Sequence, residues 1–190
     1  MKEMTVWVGP VHSGKSTKAL LRARRYLRLG HDVVLVRPSV AVRPEQGEEP
    51  GMLVTKTTHR FPSIEIDDVA DLSAAAEGAS VLWIDEPMLF PSESDDLLIA
   101  LVQEIRVNTV VLVSGLCATS DLTIFGGVMP MFMALADRIV WCLSDCDHCK
   151  SLGTATRSFF TAGKKPATVV IGGSDVYQAL CPSCWNKASS

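Results

Sequence analysis

Short apolar runs alternate with amphipathic stretches through most of the chain. Thr5 to Gly9 has strand length, reads as buried on both sides and ends in a glycine turn. Lys15 to Leu29 then places Ala19, Leu20, Ala23 and Leu27 at helical spacing and stops at Gly30, a residue suited to the position just after a helix. Further strands are predicted over Asp32 to Val36, Ser80 to Ile84, Thr109 to Val113 and Arg138 to Leu143. Between them, Ser92 to Arg106 carries Leu97, Leu98, Leu101 and Ile105 on one side, and Gly126 to Ala136 reads as another helix. Continuous apolar strands alternating with helices predict an α/β fold, a mostly parallel sheet covered on both faces. Arg37 to Pro50 is polar and rich in Pro, Glu and Gly, which reads as a loop.

After Asp145 the pattern changes. Two Cys-x-x-Cys pairs flank two β-like runs joined by a Gly-Lys-Lys-Pro turn at Gly163 to Pro166, and a short segment follows at Ser174 to Ala179. The expected organisation is therefore an α/β domain over residues 1–144 and a small C-terminal lobe over residues 145–190. There is no internal repeat and no long linker.

Composition narrows the function. With 190 residues, 47% of them hydrophobic and 21% charged, the chain has enough apolar material for one domain and an appendage. No run approaches the ~18 apolar residues that span a bilayer, and Met1-Lys2-Glu3-Met4 leads straight into a strand with no apolar leader core. A soluble cytoplasmic protein with no membrane partner is expected. A net charge of −3 argues against a surface that coats nucleic acid, but allows a small phosphorylated ligand.

Gly9-Pro10-Val11-His12-Ser13-Gly14-Lys15-Ser16, followed by Thr17, fits G-x-x-x-x-G-K-[ST] without a mismatch and lies between a strand and a helix. The glycines let successive backbone N–H groups turn toward phosphate oxygens, and the first helical turn adds free donors. Lys15 is suited to the β and γ phosphates of ATP, and the Ser16 hydroxyl to Mg²⁺. The motif predicts nucleotide binding and says nothing about a second substrate.

Asp85 and Glu86 stand where a buried strand emerges, the edge of an α/β sheet that binds ligands. Asp85 is placed to hold Mg²⁺, and Glu86 to take a proton from an attacking hydroxyl or from water. Those two cases are a kinase and an ATPase, and the pair alone does not separate them. Cys146, Cys149, Cys181 and Cys184 form two knuckles able to hold one tetrahedral Zn²⁺ with no open position, a structural site. His148 is a competing ligand type, and Cys117 and Cys142 read as ordinary buried residues.

The phosphate loop with Arg24-Arg25 after it, Ile84-Asp-Glu86 with Phe90, Gly115-Leu116, and Val170-Ile-Gly-Gly-Ser-Asp-Val-Tyr177 leading into Cys181 together resemble the type II thymidine kinases, over Val6 to Trp185. That resemblance implies a RecA-like P-loop fold with a zinc-ribbon-like lasso lobe. It also implies ATP- and Mg²⁺-dependent phosphorylation of a deoxynucleoside 5′-hydroxyl, with Glu86 as the base. By the same resemblance, Val170, Ile171, Gly172 and Gly173 would read the base edge and Tyr177 the sugar side. Thr156 would lie near the pyrimidine, and Val11, Leu89, Phe90, Leu116, Ser120 and Phe125 would surround the base. Arg43 matches an arginine near the phosphates, although the aspartate expected two residues earlier is Ala41. A homotetramer inhibited by the end-product triphosphate is implied as well.

The departures gather around the nucleoside. Leu89 replaces an aromatic, Val11 a methionine, Cys117 an aspartate and Ser120 an aromatic. Together they predict a roomier pocket, suited to thymidine or to a deoxyuridine with a bulkier or polar 5-substituent such as 5-hydroxymethyl. The competing readings are a P-loop kinase of another nucleoside or nucleotide, a non-kinase ATPase whose zinc lobe docks a partner, and a decayed kinase kept as a structural subunit.

Overall fold

The structure is a computed structural model that describes residues 1–44, 47–161 and 176–189. Five predicted strands appear within two residues of their expected bounds: β1 (Met4–Val8), β2 (Val33–Pro38), β6 (Val81–Asp85), β7 (Val110–Gly115) and β8 (Arg138–Trp141). A short sixth, β5 (Ile64–Ile66), joins them in one sheet of order β5-β2-β6-β7-β1-β8. Every pairing in that sheet is parallel, so all the carboxyl ends open on one edge. Two short strands, β3 (Met52–Val54) and β4 (Arg60–Pro62), form a separate hairpin.

Alternation along the central strands sorts their side chains into two layers. Val6, Val8, Leu82, Ile84, Val111 and Val113 face α3 (Asp95–Ile105) and α4 (Val128–Leu135), whose Leu98, Val102, Val128, Met129 and Phe132 complete that core. Trp7, Leu35, Trp83 and Leu112 face the other way, onto Ala19, Leu20 and Ala23 of α1 (Lys15–Arg28). Leu20 is fully buried there, and its truncation to alanine would cost about 2–5 kcal/mol by the usual cavity scale. With β1 between β7 and β8, and β6 one strand further out, the arrangement is the RecA-like one.

Several expectations change. The loop reading of Arg37 to Pro50 fails at its first residue: Arg37 belongs to β2 and is 1% exposed, because Glu48 and Glu65 neutralise it. The helix expected from Ser92 starts with a 3₁₀ turn over Ser92–Ser94. β3, β4, β5 and the four-residue helix α2 (Leu72–Ala75) are invisible to periodicity because each is too short to show a pattern.

At the C-terminal end, β9 (Arg157–Phe160) pairs antiparallel with β10 (Tyr177–Leu180), followed by α5 (Pro182–Ala188). Ala155, Ala179, Leu180 and Cys146 make their own small core. Asp147 braces it, accepting from the Ala179 N–H (2.7 Å) while its own N–H donates to the Ala179 carbonyl (2.9 Å). The Gly163 to Pro166 turn and the start of the Ser174 to Ala179 segment lie outside the described residues. Among those described, no helix is long and apolar enough to cross a membrane.

Candidate active site

The phosphate loop leaves β1 at Gly9, where only hydrogen fits: an added Cβ would stand 2.0 Å from the Cys142 carbonyl oxygen at the end of β8. Gly14, at φ +73°, turns the chain into α1. Ser13 Oγ and Lys15 Nζ both donate to the Pro10 carbonyl, at 2.8 and 2.7 Å, so the lysine curls across the loop. Burial pulls the Lys15 ammonium below the usual lysine range, and the nearby Glu86 and Asp85 carboxylates oppose that pull. A buried cation with donors to spare is well prepared for phosphate.

The loop is also fastened to the C-terminal lobe. Val11 N–H donates to Ser158 Oγ (3.1 Å), His12 Nε2 meets the Tyr177 carbonyl (3.1 Å), and Ser144 Oγ donates to the His12 carbonyl (3.2 Å). Burial lowers the His12 pKa, which favours the neutral ring with its proton on Nε2. The resemblance assigns Tyr177 to the sugar; here its main chain holds the phosphate loop while its ring meets Phe160 edge-on at 5.5 Å. Ser158 and Ser144 carry no motif, and only the fold reveals them.

Asp85 ends β6 almost fully buried. Its carboxylate accepts from Ser16 Oγ (3.0 and 3.2 Å) and from Ser114 Oγ of the neighbouring β7, which in turn accepts from Trp83 Nε1 (2.7 Å). Burial and the adjacent Glu86 charge raise its pKa to about 6, against the pull of Ser114, Ser16 and Arg43. A hydroxyl and a carboxylate side by side are the hard oxygen donors that Mg²⁺ takes.

Glu86 adopts φ +55°, a left-handed conformation uncommon for a residue with a side chain, and its N–H donates to the Ser114 carbonyl (2.7 Å). The turn sends its carboxylate to Arg43, whose Nη2 donates at 2.9 Å. Glu86 holds the Arg43 guanidinium firmly charged. Arg43 Nε is buried with no hydrogen-bond partner among the described residues, a donor that a phosphate oxygen would satisfy.

The residues expected around a base fall into two groups. Leu89, Phe90, Leu116 and Phe125 pack in one apolar cluster with Met88, just beyond Glu86. Val11 instead packs against the core of the C-terminal lobe, and Ser120 is buried. Thr156 lines a small cavity of about 110 Å³ beside the phosphate loop, together with Gly9, Pro10, Cys117, Thr119 and Cys142. Val170, Ile171, Gly172 and Gly173 lie outside the described residues.

The four knuckle cysteines converge, with their Sγ atoms all within 4.8 Å of one another and Cys149 to Cys181 at 4.0 Å. Sulfurs around a tetrahedral Zn²⁺ stand about 3.8 Å apart, so the cluster fits that ion. The Cys181 N–H points at Cys146 Sγ (3.3 Å) and the Cys184 N–H at Cys181 Sγ (3.5 Å), donors that stabilise thiolates. His148 Nδ1 lies 3.5 Å from Cys184 Sγ, hydrogen-bonding distance to a sulfur ligand.

Comparison with known proteins identifies the family. The thymidine kinase family matches residues 2–185. A thymidine kinase of Coprothermobacter proteolyticus is 28% identical, covering 94% of this chain and 87% of that protein. The thymidine kinases of Monkeypox virus and Variola virus are 27% and 28% identical, each over 94% of this chain and 93% of theirs. Among solved structures, a variant of RuvB from Thermotoga maritima overlays 75% of this chain and 38% of its own at 18% identity, with a TM-score of 0.44. That overlay is loose, and the strand order defines the fold better.

Proposed function

The chain belongs to the thymidine kinase family, and on that premise we propose that it transfers the γ-phosphoryl group of ATP to the 5′-hydroxyl of a pyrimidine deoxynucleoside. The observation that carries this reading is the convergence of Lys15, Ser16, Asp85, Arg43 and Glu86 at one edge of the sheet. Backbone amides at the end of the loop, Ser13 to Ser16, cradle the phosphates, with Lys15 and Arg43 supplying fixed positive charge where negative charge moves. Ser16 and Asp85 would hold Mg²⁺, which neutralises charge on the β and γ phosphates. Glu86 accepts the proton of the 5′-hydroxyl as that oxygen bonds to the γ phosphorus. The bond from that phosphorus to the bridging oxygen breaks, and ADP leaves.

The acceptor is a small molecule seated next to Glu86, over the cluster of Leu116 and Phe125 and under the C-terminal lobe. The absence of an aromatic at Leu89 and Ser120 supports thymidine or a 5-substituted deoxyuridine such as 5-hydroxymethyldeoxyuridine. The four cysteines would hold a structural Zn²⁺ that braces the lobe. The reading includes the division at residues 144 and 145, supported by the separate core of the lobe, and a cytoplasmic homotetramer as in the family.

Glu86→Gln tests the base. It keeps the side chain's size but cannot take a proton, so kcat should fall by about a hundredfold or more while ATP affinity stays within a few-fold. Lost ATP affinity with unchanged turnover per bound ATP would move Glu86 from the base to the metal shell.

A further inference from the structure

We propose that Glu48, anchored by Arg37, is the positioning residue that aims Arg43 at the transferring phosphoryl group. The proposal rests on reading Arg43 as a phosphate contact. Glu48 and Arg43 are joined twice across their turn: the Arg43 N–H donates to Glu48 Oε2 (3.0 Å), and the Glu48 N–H donates to the Arg43 carbonyl (3.3 Å). The same Oε2 accepts from Arg37 Nη1 at 2.7 Å, and Oε1 accepts from the Val54 N–H at 3.3 Å. One buried carboxylate therefore fixes the backbone of Arg43 to a strand and a hairpin at once.

The anchor itself is rigid. Arg37 lies on β2, directly beside β6, whose last two pairings with β2 are Leu35 with Trp83 and Val36 with Ile84. The Arg37 guanidinium also donates to Glu65 Oε1 (3.0 Å) on β5 and to the Met52 carbonyl (3.2 Å) on β3. The side chains of Arg37 and Glu48 are 1% and 3% exposed. Replacing such a pair by apolar residues of similar size is often neutral or stabilising, so stability alone gives a weak reason for charges here. What the charges add is direction. Arg43 leaves this clamp with Nη2 on Glu86 and with Nε buried and lacking a partner among the described residues. A guanidinium aimed in this way is prepared for an oxygen that arrives with the nucleotide.

A double-mutant cycle tests this on the full chain, with wild type, Arg43→Ala, Glu48→Gln and the pair compared for kcat, nucleoside KM and thermal midpoint. Glu48→Gln should lower kcat by about a hundredfold, the scale of a misplacement of about 1 Å, with nucleoside KM within twofold. In the Arg43→Ala background the same change should alter kcat by less than about twofold, because its route of action is already gone. Should Glu48→Gln fail to fold, Arg37→Met with Glu48→Leu and Glu65→Gln deletes the acceptor for the Arg43 N–H and removes all three charges of the cluster together, and carries the same cycle. An Arg43→Ala protein with normal kcat would overturn the phosphate reading of Arg43. Impaired Arg43→Ala with a silent Glu48 change, or with losses that multiply, would overturn the role of Glu48 alone.

Discussion

Asp85 accepts hydrogen bonds from Ser16 and Ser114 yet is costly to ionise, because its carboxylate is buried beside a second one. An ordinary aspartate releases its proton near 3.8, and this one near about 6 when folded. Between those values the folded protein holds a proton that the unfolded chain has lost. The stability from this group is thus full below the lower value and gone above the upper one. In EDTA at pH 8, metal-free Asp85→Asn should therefore melt above wild type, and the gap should close as pH falls toward 4. Thermal denaturation across that range checks it; a lower midpoint for Asp85→Asn at pH 8 would make the charged carboxylate net stabilising. The placement of Lys15, Asp85 and Glu86 is legible in the sequence because it depends on local strand-and-turn context. Ser114, Ser158 and Glu48 are not, because each is recruited across strands by a hydrogen bond that no local pattern encodes.

At the scale of elements, the phosphate loop and the C-terminal lobe behave as one fitted part. Ser158 at β9 and the Tyr177 carbonyl at β10 hold Val11 and His12, contacts through which loss of order in the lobe would reach the loop. Metal analysis of the native protein should give about one equivalent of zinc per chain, and Cys181→Ser should lose it. Its thermal midpoint should drop, and ATP affinity should fall with it, although residue 181 touches no phosphate. A zinc-free native protein, or an intramolecular disulfide in its place, would contradict this. The central strands are readable because both their faces are buried, which leaves uninterrupted apolar runs. Periodicity ends β2 two residues short because Arg37 looks like a loop residue until Glu48 and Glu65 are seen beside it.

Across the whole molecule, an all-parallel sheet collects loops from distant parts of the chain at one edge, and the order β6-β7-β1 spaces the acidic pair from the phosphate loop by a single strand. The kinase class follows from that layout together with the family; in the proposed reading, the choice of nucleoside rests on Leu89 and Ser120. Ser120 and Leu89 should make kcat/KM for 5-hydroxymethyldeoxyuridine equal to or above that for thymidine, and Ser120→Phe should reverse the order. A tenfold or larger preference for thymidine that Ser120→Phe leaves unchanged would assign those positions no part in specificity. The most direct test of the kinase assignment is transfer of label from γ-labelled ATP across a panel of nucleosides and monophosphates, with Lys15→Ala as the control. The expected products are labelled 5′-monophosphates of pyrimidine deoxynucleosides, with little from purines and a loss of transfer by orders of magnitude in Lys15→Ala. Release of labelled inorganic phosphate at the same rate with and without any nucleoside, and no labelled nucleotide, would contradict it.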